Sequence, residues 1–111
     1  MTTDGKNLDR QEMQNAASQA CSLLKALSNP DRLLLLCQLA QGEHCVSELE
    51  HALGIVQPTL SQQLGVLREE QLVSTRREGK QIFYSISSTE AMAVMQVMYQ
   101  IYCNKTKKEK T

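Results

Sequence analysis

Residues 46–84 read VSELEHALG, then IVQPTLSQQLGVLREEQLV, then STRREGKQIFY, and this stretch decides the fold. In its first part, apolar residues recur at the spacing of an amphipathic helix, at Val46, Leu49, Ala52 and Leu53. Gly54 follows directly, where a helix end favours a residue that tolerates positive φ. Pro58 suits the first turn of a second helix, because its missing N–H would have no helical partner there. Two short helices around a glycine-containing turn predict a helix-turn-helix.

The second helix separates apolar from polar residues. Leu60, Leu64 and Leu67 fall within about 60° of one another at 100° per residue. The polar residues that we take as candidates to contact DNA bases and phosphates are Gln57, Thr59, Ser61, Gln62 and Gln63. Short or uncharged polar side chains can meet base edges without a fixed charge. The alternative is an ordinary solvated helix face.

A β-hairpin is predicted immediately after this helix. Val73, Thr75 and Arg77 alternate with Ser74 and Arg76, the turn is Glu78-Gly79-Lys80, and Ile82, Tyr84 and Ile86 alternate on the return. Three cations near the tip, Arg76, Arg77 and Lys80, are candidate phosphate contacts. A helix-turn-helix followed by a basic hairpin is a winged helix, so the expected partner is double-stranded DNA. The rival interpretation is a winged helix that binds only proteins.

The length and net charge of the chain limit the number of domains and the kind of DNA binding that can be expected. The 111 residues suffice for one domain with a modest core, expected over residues 9–104, with a disordered segment 1–8 and a basic flexible tail 105–111. The formal net charge is zero, so DNA affinity must come from locally placed cations, which favours a site-specific binder over a coating protein. No apolar run approaches the ~18 residues of a membrane span, and the polar N-terminus is no secretory signal. We therefore expect a cytoplasmic protein with reduced cysteines.

Two helices precede this stretch. The first is predicted from Asp9 to about Leu27, and its apolar positions are Ala16, Ala20, Leu23, Leu24 and Leu27. Asn29 can cap the second helix and Pro30 fits its first position. This helix, ending near Gln41, contains LLLLCQLA and is expected to be the central buried helix.

The pattern of the last helix, roughly residues 89–104, indicates that the protein forms a dimer. It is apolar apart from a thin stripe at Gln96, Gln100 and Asn104. A terminal helix lays only one side on its own core, so a second apolar side needs another subunit. The candidate interface residues are Met95, Met98, Tyr99 and Tyr102. We expect a homodimer; the alternative is that the first helix covers both sides.

Nearly the whole chain resembles the ArsR family of winged-helix repressors. The matching segments are LLKALSNPDRLLLLCQL, VSELEHALGIVQPTLSQQLGVLREEQLV and TRREGKQIFYSI. The resemblance implies a mainly α fold with a small β-hairpin, in the order α-α-α-α-β-β-α, and a dimer that represses an operon until an inducer arrives. Gln63 stands where many members hold a histidine, which puts the operator sequence in doubt.

The metal sites of the family are incomplete here. Cys45 matches the first thiolate of the arsenic-type and cadmium-type site, but Ser47 replaces the second. The zinc-type site needs Asp and His on the last helix, which has neither. We therefore expect no metal and no cofactor. A metal-sensing repressor that uses Cys45 with ligands from elsewhere remains the alternative.

Cys37 and Cys103 resemble the cysteine pair of the BigR/SqrR-like branch of this family, which implies release of a palindromic operator when reactive sulfur species or oxidants bridge them. Such a sensor needs an attacking thiolate and a second thiol on another element. Otherwise Cys37 is a small core residue and Cys103 a bystander. Cys21 is expected to pack in the first helix and Cys45 to be a semi-exposed thiol. A thiol oxidoreductase is disfavoured because no Cys-x-x-Cys occurs, so no enzyme is expected.

Overall fold

The computed structural model describes residues 9–104, which contain five α-helices and a three-stranded antiparallel sheet. The elements are α1 (Arg10–Leu27), α2 (Pro30–Leu39), β1 (His44–Cys45), α3 (Val46–Leu53), α4 (Thr59–Glu69), β2 (Val73–Glu78), β3 (Gln81–Ile86) and α5 (Thr89–Met98), which continues as a π-helical turn (Tyr99–Asn104). The expectations for residues 1–8 and 105–111 lie outside the described residues.

The predicted winged helix-turn-helix is confirmed, with one strand added. The sheet order is β1-β3-β2, and β1 pairs His44 with Tyr84 and Cys45 with Phe83. Strand β1 was not predicted, because a strand of two residues cannot show an alternating pattern. This strand ties the start of α3 to the hairpin β2–β3, which we call the wing.

Local signals set the helix ends. Asp9 and Glu12 form a reciprocal capping box at the start of α1, and the Asn29 side chain accepts the Arg32 N–H at 3.0 Å to cap α2. Gly54 ends α3 in the left-handed region at φ +72°. Pro58 differs from expectation, since it precedes α4 rather than occupying its first turn.

The core lies between α2, α3, α4 and the sheet. The three leucines predicted on the inner face of α4 are all buried. They meet buried leucines of the preceding helices, namely Leu35, Leu36, Leu39 and Leu49. Burial of a leucine side chain contributes roughly 1.5–3 kcal/mol, so this cluster positions the outer face of α4.

Helices α1 and α2 are less buried than expected. Only Ala26 and Leu27 are buried among the residues of α1, and Cys21 is exposed rather than packed. Helix α2 is not buried all round, since Leu34 and Cys37 face outward. Within residues 9–104, no helix has the length and apolar character needed to cross a membrane.

Candidate DNA-binding surface and cysteine pair

The outer face of α4, which we call the recognition helix, carries polar side chains on a short local network. Gln57 Oε1 accepts hydrogen bonds from the Ser61 N–H at 3.2 Å and from Ser61 Oγ at 2.7 Å. This bond acts as a cap for a helix that begins without a side-chain cap at Pro58. Ser61 and Gln62 are exposed and Thr59 is half-buried. The face therefore offers uncharged donors and acceptors.

Gln63 differs from its neighbours because its side chain is already engaged. It is half-buried, and its Oε1 accepts a hydrogen bond from Arg32 Nη1 at 2.8 Å. Arg32 comes from the first turn of α2, so this bond joins α2 to the recognition helix. The sequence pattern gave no indication of this contact, because the two residues are far apart in the chain.

The three candidate cations of the wing differ in whether they are paired with carboxylates. Arg76 lies over the Phe83 ring at 4.7 Å and pairs with Glu43 through two bonds of 2.8 and 2.9 Å. A third bond of 3.1 Å reaches Glu78. Arg76 was expected to contact phosphates; in this structure its guanidinium contacts two carboxylates, Glu43 just before β1 and Glu78 on its own strand.

The electrostatics of this cluster follow from its geometry. The hydrogen bonds from Arg76 lower the pKa of Glu43 below its ordinary value, and those to Glu43 and Glu78 raise the pKa of Arg76. Both shifts favour the charged pair. The two carboxylates thus offset the charge of Arg76.

Arg77 and Lys80 are the other two cations of the wing, and both are exposed. Arg77 Nε donates to the Gly79 carbonyl at 3.2 Å, which folds its side chain along the turn. Neither cation has an ion pair with a carboxylate within the described residues. These two remain the better placed for phosphate oxygens.

The candidate interface on α5 needs one correction. Met95 is only 3% exposed and belongs to the core, because it lies on the side of α5 that faces the protein. Met98 is half-buried, and Tyr99 and Tyr102 are 51% and 68% exposed. Sequence reasoning missed Val97 and Ile101, which are also exposed apolar residues. A helical-wheel count from Met95 would have placed Val97 on the outer side.

All four cysteines are free thiols, and three of them are exposed. The pKa of the Cys37 thiol is raised, first because neighbouring atoms desolvate it despite its exposure and second because of the Cys103 thiolate. The charge of Cys103 is therefore felt at the Cys37 thiol. The pairing of Cys37 with Cys103 that the resemblance implies stays a prediction.

Cys45 occupies a different environment from the one expected. It is 4% exposed rather than semi-exposed, because its strand β1 is covered by the core, and its Sγ lies 3.3 Å from Ser47 Oγ. His44 uses both ring nitrogens: Nδ1 lies 2.8 Å from the Gly42 carbonyl and Nε2 lies 3.3 Å from Gln38 Nε2. Over residues 9–104, no group of three or more His, Cys, Asp or Glu side chains is arranged to hold a metal ion.

Comparison with known proteins agrees with this architecture. Residues 29–75 match the family described as bacterial regulatory protein, arsR family. The biofilm growth-associated repressor of Xylella fastidiosa (strain Temecula1) is 48% identical over 101 residues, covering 91% of this chain and 89% of the relative. The transcriptional activator HlyU of Vibrio cholerae is 41% identical over 99 residues, covering 89% and 92%.

Solved structures give the same result. The crystal structure of the transcriptional repressor BigR from Xylella fastidiosa aligns with a TM-score of 0.79 at 50% identity, covering 86% of this chain and 98% of that one. A homodimeric winged helix-turn-helix DNA-binding domain from Mycobacterium bovis, solved by NMR, aligns with a TM-score of 0.70 at 30% identity, covering 96% and 95%. With its winged helix and these similarities, the chain belongs to the arsR family of bacterial regulatory proteins.

Proposed function

We propose that the protein is a homodimeric transcriptional repressor that binds a palindromic operator when reduced. It releases the operator when a covalent bridge joins Cys37 and Cys103. The recognition helix enters the major groove, with Gln57, Thr59, Ser61, Gln62 and Gln63 as the candidate contacts. Arg77 and Lys80 of the wing bind phosphates, whereas Arg76 is held by carboxylates. The name of the Xylella fastidiosa relative supports repression.

Two exposed apolar surfaces support the homodimer. Most of the stability of a helix in a protein comes from packing of its apolar face, yet α1 exposes Met13 and Leu24 at 52% and 58%. On α5 and its π-helical turn, Val97 and Ile101 are 55% and 47% exposed. The alternative that α1 covers the outer side of α5 leaves these surfaces unexplained. A partner subunit that covers both surfaces accounts for their exposure, and the structurally similar Mycobacterium bovis domain is homodimeric.

The observation that supports the sensing step is that two exposed thiols, Cys37 and Cys103, lie on different elements of one subunit. The charge of Cys103 also contributes to the raised pKa of Cys37. Cys37 lies on α2, which packs against the recognition helix, and Cys103 lies on the turn that continues the dimer helix α5. A covalent link between these elements changes how α5 sits on the body of the subunit. In a dimer, that change alters the separation of the two recognition helices, which must match two half-sites at once.

The chemistry balances with a persulfide as oxidant. One cysteine thiolate attacks the outer sulfur of R–S–SH, which gives a cysteine persulfide and RS⁻. The second cysteine then attacks the inner sulfur, and the bridge Cys–S–S–Cys forms as H₂S leaves. With a second persulfide molecule the products are a trisulfide bridge, two RSH and one H₂S. A disulfide requires Cα atoms about 4.4–6.8 Å apart, so a wider pair would favour the longer bridge.

The test uses a duplex that the reduced protein selects from a random library. Polysulfide, hydrogen peroxide and Zn²⁺ are added in separate samples, release of DNA is followed by fluorescence anisotropy, and intact mass gives the adduct. We expect release by polysulfide together with a Cys37–Cys103 bridge. Cys37→Ser and Cys103→Ser should still bind DNA but ignore polysulfide.

Cys21→Ser is the matched control, because Cys21 is also an exposed thiol on a helix but lies on α1. It should respond like the wild type. Release of DNA from the Cys37→Ser protein by polysulfide, or release by Zn²⁺ without a bridge, would rule out the dithiol switch.

A further inference from the structure

Arg32 lies where three helices meet and uses its whole guanidinium group there. Its Nε donates to the Ala26 carbonyl at 2.6 Å and its Nη2 to the Lys25 carbonyl at 3.3 Å, both near the C-terminal end of α1. Its Nη1 donates to Gln63 Oε1 on the recognition helix at 2.8 Å. Arg32 is half-buried, so these bonds are partly shielded from water. One side chain therefore links the end of α1 to a residue on the DNA-facing helix.

The identity of the Gln63 atoms follows from chemistry. A guanidinium group has five N–H donors and no acceptor, so the atom of Gln63 that faces Arg32 must be the oxygen. The amide nitrogen is then on the other side. Among the described residues, the Gln63 amide nitrogen has no hydrogen-bond partner. It is also not buried, so solvent reaches it. Gln63 follows Thr59 by one helical turn and Gln62 directly, so its nitrogen lies beside the candidate DNA contacts.

We propose that Arg32 is a positioning residue that presents Gln63 to DNA as a hydrogen-bond donor and thereby sets base preference. The proposal rests on the proposed DNA-binding function. A glutamine that is free to rotate pairs with adenine through both its oxygen and its nitrogen. With its oxygen held by Arg32, Gln63 only donates and therefore favours bases that present acceptors without an adjacent amino donor, namely guanine with N7 and O6 or thymine with O4.

The same link makes base preference depend on the α1–α2 junction. The bonds to the Ala26 and Lys25 carbonyls fix the guanidinium relative to α1, whose exposed apolar face belongs to the proposed dimer interface. A shift of α1 or α2 relative to the recognition helix therefore breaks or bends the bond to Gln63. The operator contact is lost when the junction moves, even if the recognition helix remains folded.

The experiment is selection of duplexes from a random library by the full-length reduced protein, followed by affinity measurements on operators that differ at single base pairs. Arg32→Met removes the donors while keeping an apolar stem. In that variant one position of each half-site should change its preference toward adenine. Gln63→Glu keeps the bond to Arg32 but has no donor, so the same position should move toward the amino groups of cytosine and adenine. Each change should alter relative affinities at that position by on the order of fivefold, as for one hydrogen bond.

Asp31→Asn is the matched control, because Asp31 also lies in the first turn of α2 but makes no hydrogen bond to Gln63 or to α1 among the described residues. It should leave base preference unchanged. Arg32→Met in a Gln63→Ala background should have no further effect on base preference. Unchanged preference in Gln63→Glu, which alters only a partly exposed side chain, overturns the proposal. If the wild type selects no sequence at all, the proposed DNA-binding function fails instead.

Discussion

The wing offers a quantitative test of how many phosphates the protein contacts. Each phosphate neutralised by a cation contributes about 0.9 to the slope of log affinity against log salt concentration. Lys80→Ala removes one free cation per subunit, so in a dimer the slope should flatten by about 1.8. Over a fourfold rise in salt, from about 50 to 200 mM, the variant should therefore lose roughly 12-fold less affinity than the wild type.

Arg76 should behave differently from Lys80 despite lying on the same hairpin. Because Glu43 and Glu78 already pair with its guanidinium, Arg76→Ala should change the slope little. Glu43→Gln should steepen the slope, which is the opposite of the flattening expected for Lys80→Ala. It leaves Arg76 with one carboxylate fewer, so more of its charge is available to a phosphate. A neutral amide in place of Glu43 conserves size and therefore isolates the effect of charge.

The measurement is fluorescence anisotropy with a fixed operator duplex at four or more salt concentrations. Arg10→Ala is the control, because Arg10 begins α1, away from the wing and the recognition helix in sequence and outside the proposed DNA contacts. It should leave the slope unchanged. Equal flattening by Arg76→Ala and Lys80→Ala would refute the assignment of Arg76 to an internal ion pair and return it to the phosphate contacts.

Three further predictions concern assembly, the sensor and stability. Val97→Glu should give a monomer by sedimentation, because it places an unpaired charge in the proposed interface, whereas Gln96→Glu on the adjacent polar stripe should stay dimeric. Alkylation of Cys37, read by peptide mass spectrometry, should have a pH midpoint above the ordinary thiol value. In Cys103→Ser that midpoint should fall without reaching the ordinary value, since desolvation is the larger cause; an unmoved midpoint contradicts the coupling. Asn29→Ala should lower the free energy of unfolding by about 1 kcal/mol in urea titrations, and an unchanged midpoint contradicts the cap.

Sequence patterns predicted the parts of the fold that periodicity and caps encode. Leucines at helical spacing identified the inner face of α4, and Asn29 and Gly54 marked helix ends that the structure confirms. The side chain of Met95 was harder to place. An apolar residue on a helix with two apolar sides carries no mark of which side meets the core, so its burial emerged only from packing.

The candidate site was predictable in composition but not in its pairings. The polar face of α4 and the cations of the wing follow from residue types. The bonds of Arg76 to Glu43 and of Arg32 to Gln63 join residues distant in the chain, and which cations are used internally depends on the register of the sheet and the crossing of helices. Periodicity within one element cannot predict such contacts.

The burial of Cys45 makes it a natural reporter of opening. A reagent such as an aromatic disulfide reacts with accessible thiols in seconds, but it must wait for β1 to leave the sheet before it meets the Cys45 sulfur. Strand β1 joins the start of α3 to the wing. The rate of the slow labelling phase therefore reports how fast the wing detaches from the helix-turn-helix. Operator DNA, which is proposed to contact both, should lengthen that phase, and the native cysteine reports it without any mutation.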